Sequence, residues 1–159
     1  ISGYVANGLA AKGLEVFKEM LSLGIRVDLA TMVSVLAACA NIGIPLLGRA
    51  LHAYAIKGRF DREIIFNNTL LDVYAKCGDM DGAIQVFENM DERSVVSWTS
   101  MIAGYVREGL SEKAIEIFRK MRKEGINPDI FTITSILHAC ACGGSLENGN
   151  EVHNYIREN

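Results

Sequence analysis

The stretch SVVSWTSMIAGYVREGLSEKAIEIFRKMRKEGINPD, residues 94–129, decides the fold. Trp98, Met101, Ile102, Tyr105 and Val106 recur at i, i+3, i+4, i+7 and i+8, which places them along one face of a helix. Gly109 is expected to stop that helix, because glycine enters the left-handed region without the penalty that a Cβ imposes. Ser111 then offers a cap for a second helix, whose apolar stripe is Ala114, Ile117, Phe118 and Met121. Gly125 and Pro128 close the unit. Neither helix can bury its stripe alone, so such a hairpin needs stacked neighbours.

Those neighbours are written in the chain. Residues 1–58 lie over residues 102–159 without a gap, pairing Gly8 with Gly109, Phe17 with Phe118, Met20 with Met121, Asp28 with Asp129, Cys39 with Cys140, Gly48 with Gly149 and His52 with His153. Residues 64–94 carry the pattern once more, with Tyr74, Gly78, Ala83, Phe87 and Met90 aligned to Tyr105, Gly109, Ala114, Phe118 and Met121. The chain therefore divides into helical pairs at 1–28, 29–63, 64–94, 95–129 and 130–159, the first and last truncated. Ile1-Ser2-Gly3-Tyr4 matches Ile102-Ala103-Gly104-Tyr105, so the chain is expected to begin partway along a first helix, as a piece of a longer protein.

Composition points the same way. A chain of 159 residues, 50% of them hydrophobic, can bury a sizeable core, and only two prolines interrupt it. A net charge of −3 argues against gripping phosphate backbones by bulk charge. If nucleic acid is the partner, contacts to bases must carry much of the discrimination. The uncharged run from Leu29 to Gly48 contains Asn41, Gly43 and Pro45, so it reads as a buried helix and its turn rather than a membrane span.

Cys39, Cys77, Cys140 and Cys142 include no CxxC pair, and reduced thiols in an intracellular compartment are the expectation. Cys140 and Cys142, with His138 and His153, do not make a zinc set, because CxC on a helix points its two thiols about 200° apart. Cys39 and Cys140 take the register held by Tyr4, Tyr74 and Tyr105 elsewhere, which suits a small packing residue. His52 and His153 read as hydrogen-bonded structural histidines. No metal, cofactor or catalytic set is expected. The HxE and CxxC motifs of zinc deaminases are missing from the sequence, so the chain is not expected to be an enzyme.

The units resemble pentatricopeptide repeats of the plant kind in which standard (P), long (L) and short (S) motifs alternate. Residues 95–129 are similar to the P motif, and NNTLLDVYAKCGDMDGAIQVFENMDERS within 64–94 is similar to the S motif. SVLAACANIG at 34–43 and SILHACACGG at 135–144, each followed by a glycine and then a histidine, look like the L motif. The resemblance covers the whole chain, with 1–28 P-type and 130–159 L-type. It implies an all-α fold, a right-handed superhelical solenoid of helix-turn-helix repeats with first helices lining the concave face. It also implies sequence-specific binding of single-stranded RNA in a mitochondrion or chloroplast, as part of a C-to-U editing factor or other RNA-processing factor. A partner protein docking on the L repeats, and end-to-end self-association of the truncated array, belong to the same expectation. The alternative is a protein–protein interaction scaffold using the same concave groove.

The resemblance further implies that each repeat reads one base through its fifth and last residues, with the second residue packed against the base. For 95–129 these are Thr99, Asp129 and Val96; for 64–94 they are Asn68, Ser94 and Ile65. Asp28 is the last residue of 1–28, while Phe131 and Thr134 are the second and fifth of 130–159. Val33 and Glu63 hold the reading positions of 29–63, and a valine that offers no hydrogen bond argues against base reading there. Guanine presents N1–H and N2–H donors to the Asp129 carboxylate, and the Thr99 hydroxyl can serve as either partner. Asn68 with Ser94 avoids setting a carboxylate against N3 of cytosine. The family's code then gives C at 64–94 followed by G at 95–129. A plainer alternative stands beside it: Asp28, Ser94 and Asp129 are also the residue types that turns and caps prefer.

Overall fold

A computed structural model describes residues 1–58 and 60–158, and among them it contains ten α-helices and no strand. In chain order they are α1 (Ser2–Ala6), α2 (Ala10–Ser22), α3 (Leu29–Ile42), α4 (Pro45–Gly58), α5 (Ile64–Lys76), α6 (Met80–Asn89), α7 (Val95–Arg107), α8 (Ser111–Lys123), α9 (Ile130–Cys142) and α10 (Leu146–Glu158). Local chemistry sets the ends. Asp28, Asp79, Ser94 and Asp129 stand just before α3, α6, α7 and α9, and each side chain accepts a backbone N–H three residues on. Pro45 opens α4, where its fixed φ suits a helix and its missing N–H costs nothing. At the other end of α7, Gly109 takes φ 73°, letting its own N–H reach Val106 O and that of Leu110 reach Tyr105 O. An L side chain would strain that turn, as the sequence anticipates.

The chain folds as two compact units, Ile1–Asp91 and Glu92–Asn159. In the first, each odd-numbered helix packs against the even-numbered one that follows it, and α1 and α5 both pack on α3. The helices α3 and α5 pack on each other, and Met32, Val35, Leu36 and Cys39 of the one and Phe66, Leu70, Val73 and Tyr74 of the other are buried. Close approach of α4 to α5 depends on Gly48: a Cβ there would stand 2.9 Å from Val73 Cγ1. Arg49 reaches from α4 to the Asp79 carboxylate through Nη2 at 2.6 Å and Nε at 3.1 Å. That guanidinium is the main reason the Asp79 carboxyl titrates below the usual aspartate range.

In the second unit α7 packs on both α8 and α9, and α9 packs on α8 and α10. Trp98, Met101, Ile102 and Tyr105 of α7 are buried, with Ile136, Ala139 and Cys140 of α9. Cutting a buried aromatic such as Phe118 back to alanine would cost about 3–5 kcal/mol. Two details of α8 depart from the sequence reading. Ser111 is the first helical residue rather than the cap, because the left-handed Gly109 turns the chain early and Leu110 takes the cap position without a side-chain bond. Buried Ser111 sits against the end of α9 instead, where a Cβ on Gly143 would lie 3.1 Å from its Cβ. The buried face of α8 is Ala114, Ile115, Phe118 and Met121, with Ile117 turned halfway to solvent.

Among the described residues no helix is long and apolar enough to cross a membrane, and α3 accounts for the start of the uncharged run. Cys39 is wholly buried, and burial pushes its thiol up to about 11, so it packs as a protonated, nearly apolar side chain. His52 accepts or donates a 3.1 Å hydrogen bond to the Tyr74 hydroxyl, whereas His153 is exposed.

Candidate nucleic-acid interface

The candidate residues gather at the starts of first helices, where helical geometry leaves the opening turn outside the core. Position two is apolar and bare each time: Ile65 is 54% exposed on α5, Val96 53% on α7 and Phe131 71% on α9. A large apolar side chain gains by leaving water, and these three stand outward at one register, open to a partner. Flat or branched apolar surface of this kind suits stacking against a base.

Asp129 and Thr99 are brought together through a third residue. Asp129 Oδ1 accepts the Thr132 backbone N–H at 2.8 Å and the Thr132 hydroxyl, also at 2.8 Å. The Thr132 hydroxyl oxygen in turn lies 2.6 Å from Thr99 Oγ1. Thr99 Oγ1 is also 2.8 Å from Val95 O, one turn back on α7. A threonine hydroxyl has one proton. With the Thr132 proton on Asp129, that of Thr99 goes to Thr132 or to Val95 O. The half-buried Thr99 oxygen therefore keeps lone pairs with which to accept, next to a carboxylate that itself has capacity to accept.

The remaining candidates are less connected. Ser94 caps α7 by accepting the Ser97 N–H at 3.4 Å, and its own N–H donates to Ser97 Oγ at 3.0 Å. This is a capping box with serine in place of the commoner glutamate. Asn68 is half-buried on α5. Asp28 is exposed and caps α3, and hydrogen bonds from the Thr31 side chain and backbone hold its carboxyl below the usual range. Thr134 is exposed but returns its hydroxyl to Ile130 O and Phe131 O, 2.9 and 3.0 Å away, so its proton is spent within α9. Glu63 precedes α5 without making a side-chain cap, and Val33 is half-buried. Three residues expected to read bases, Asp28, Ser94 and Asp129, are thus also helix caps.

Sequence reasoning did not single out Thr132 and Ser97. The signal was there as Asp129-x-x-Thr132 and Ser94-x-x-Ser97, a cap followed at the third place by a hydroxyl. A polar cavity of about 370 Å³ also opens in the first unit, with His52, Asp61, Asn67, Gln85 and Asn89 in its wall. Among the described residues no three His, Cys, Asp or Glu side chains converge to hold a metal ion.

A model described as the PPR repeat family matches residues 93–142, and one described as the PPR repeat matches residues 1–25 and 68–95. The chain carries pentatricopeptide repeats. They are 57% identical over 140 residues to the chloroplastic pentatricopeptide repeat-containing protein DOT4 of Arabidopsis thaliana, covering 88% of this chain and 16% of that protein. They are 38% identical over 149 residues to the mitochondrial pentatricopeptide repeat-containing protein At2g03880 of the same plant, covering 94% of this chain and 23% of that one. The chain thus spans less than a quarter of the length of either curated relative. Among solved structures, the pentatricopeptide repeat protein PPR10 in complex with an 18-nt psaJ RNA element matches with a TM-score of 0.76. That match has 23% identity and covers 89% of this chain and 22% of PPR10. At that identity the likeness speaks for the fold, an all-α helical repeat.

Proposed function

We propose that these repeats bind single-stranded RNA and read its sequence, one base to a repeat, within a plant organellar protein of the alternating P, L and S kind. The observation that carries this reading is the pairing of Thr99 with Asp129 through Thr132, beside the bare side chain of Val96. Two acceptors set side by side suit a base edge with two neighbouring donors, and guanine N1–H and N2–H are such an edge. Adenine offers an acceptor at N1 and would meet the carboxylate badly. Asn68 with Ser94 supplies donors without a negative charge, which suits cytosine. The reading is therefore C at 64–94 and G at 95–129, 5′ to 3′ along the chain.

Binding rather than catalysis is the task assigned to this chain, with the wider role that of an RNA-editing or RNA-processing factor. The relatives' chloroplastic and mitochondrial names support an organellar home. A protein partner on the L-type units would complete the assembly. The net charge of −3 favours one competing reading, a protein–protein scaffold.

RNA selection with the full-length parent protein, wild type against Thr99→Asn, separates the two. Asparagine beside Asp129 suits a base with N3–H between two acceptors, so the preference at one position moves from G to U. Binding that weakens as salt rises is the accompanying result. An unchanged base profile with binding intact would transfer the groove to the scaffold reading.

A further inference from the structure

We propose that Thr132 is a positioning residue for base recognition: it belongs to one repeat and fixes the two reading side chains of the repeat before it. The inference rests on the RNA reading above, and it concerns a residue outside the second, fifth and last positions. Thr132 is 0% exposed, so it touches no ligand itself. Its hydroxyl lies 2.8 Å from Asp129 Oδ1 and 2.6 Å from Thr99 Oγ1, tying a cap at the start of α9 to a side chain on α7. A buried hydroxyl is costly unless it is hydrogen-bonded, and a valine would fill the same volume without that demand. The hydroxyl makes two contacts, and both go to reading residues.

Its effect is on proton direction. By donating to the carboxylate, Thr132 leaves its own oxygen as an acceptor for Thr99, and the Thr99 proton stays inside the protein. Thr99 then meets the base as an acceptor. Without the Thr132 hydroxyl, Thr99 is held only by Val95 O, one turn back, and can turn between donating to the base and accepting from it, so guanine loses its advantage over adenine.

A hydroxyl residue stands at the same third place after the caps Asp28 and Ser94, and a different residue after Glu63. Ser97 follows Ser94 at the third place, buried, with its hydroxyl oxygen 3.3 Å from Ser94 Oγ. Thr31 follows Asp28 and donates its backbone N–H to it at 2.8 Å. After Glu63, partnered in its repeat by the non-reading Val33, the third place holds Phe66, fully buried and without a hydroxyl.

The test is selection from a randomised single-stranded RNA pool with the full-length parent protein and its variants Thr132→Val, Thr132→Ser and Thr99→Asn. The expected result for Thr132→Val is a loss of about tenfold in guanine over adenine at one position, with preferences at flanking positions kept. Thr132→Ser restores the discrimination to within about twofold, which a purely steric role would not require. If Thr99→Asn moves the preferred base while Thr132→Val leaves guanine favoured as before, the positioning role is overturned and the RNA reading survives. If Thr99→Asn changes nothing, the RNA reading falls and this inference with it. Thr132→Ala serves as the second variant should Thr132→Val fold poorly. Loss spread evenly over all positions in both variants would mark Thr132 as structural only and overturn the proposal.

Discussion

Thr99 of α7 and Thr132 of α9 hold their hydroxyl oxygens 2.6 Å apart, joining two first helices of successive repeats. A contact that short between a half-buried and a fully buried hydroxyl should appear in stability as well as in recognition. Thr99→Val or Thr132→Val alone removes this contact and leaves the partner hydroxyl only its other bond, Thr132 to Asp129 or Thr99 to Val95 O, whereas the double variant removes both hydroxyls. Urea unfolding of the four proteins is expected to give a coupling of about 0.5–1.5 kcal/mol, the double variant being less harmed than the sum of the singles. Strict additivity would mean that the two hydroxyls do not bond in solution.

Gly48 and Gly149 occupy the same place in the internal repeat but different surroundings, and substitution by alanine should have opposite signs. At Gly48 the new Cβ would stand 2.9 Å from Val73 Cγ1, on a stiff side chain in the core of the first unit. Gly48→Ala is expected to destabilise by about 1–3 kcal/mol. At Gly149, within α10, a Cβ would have nothing within 4 Å. Gly149→Ala in this 159-residue chain gains helix propensity and is expected to stabilise by about 0.5–1 kcal/mol. Melting of both variants checks the pair, and a destabilising Gly149→Ala would contradict the open face.

Much of this was legible from residue type and spacing. The stripe Trp98, Met101, Ile102 and Tyr105 is buried as its period requires, and Gly109 adopts the left-handed turn that glycine alone takes cheaply. Two readings failed on α8. Ser111 was a good cap by type, but a left-handed residue two places earlier starts the helix sooner. Ile117 and Ile115 are equally apolar and both fit a helical face. Only the placement of α7 and α9 decides which of them turns inward. At the candidate site, the resemblance to pentatricopeptide repeats pointed to Thr99 and Asp129, but their link depends on how far Thr132 penetrates between two helices. That distance is tertiary, and no spacing along the chain contains it.

Asp129 and Glu63 precede equivalent helices, yet only one of them caps. Asp129 Oδ1 holds the Thr132 N–H, while the Glu63 side chain makes no such bond to α5. Asp129→Ala is expected to lower the stability of the second unit by about 1 kcal/mol, and Glu63→Ala to change the first by less than about 0.5 kcal/mol. Denaturant midpoints for the two alanine variants settle the comparison. Equal losses would show that acidic charge near a helix start matters more here than the hydrogen bond.

His52 gives the first unit a dependence on pH. Burial lowers its pKa below the ordinary histidine value, more than the Asp61 charge raises it, and Nδ1 sits 3.1 Å from the Tyr74 hydroxyl. The neutral ring can accept from Tyr74, whereas the protonated ring has no acceptor left and the tyrosine hydroxyl would have to turn. Because the folded value lies below the unfolded one, the unfolded chain binds more protons in the interval between them. The stabilisation is complete above the ordinary histidine range and is lost as pH falls through the folded value. Urea midpoints measured from about pH 7.5 down to about pH 5.5 are expected to fall for the wild type and to fall less for His52→Gln. Arg49 and Asp79 share a cavity wall with His52, but Asp79 titrates at lower pH and Arg49 at higher. An identical decline in the two proteins would remove His52 from the explanation and leave the loss to groups outside this contact.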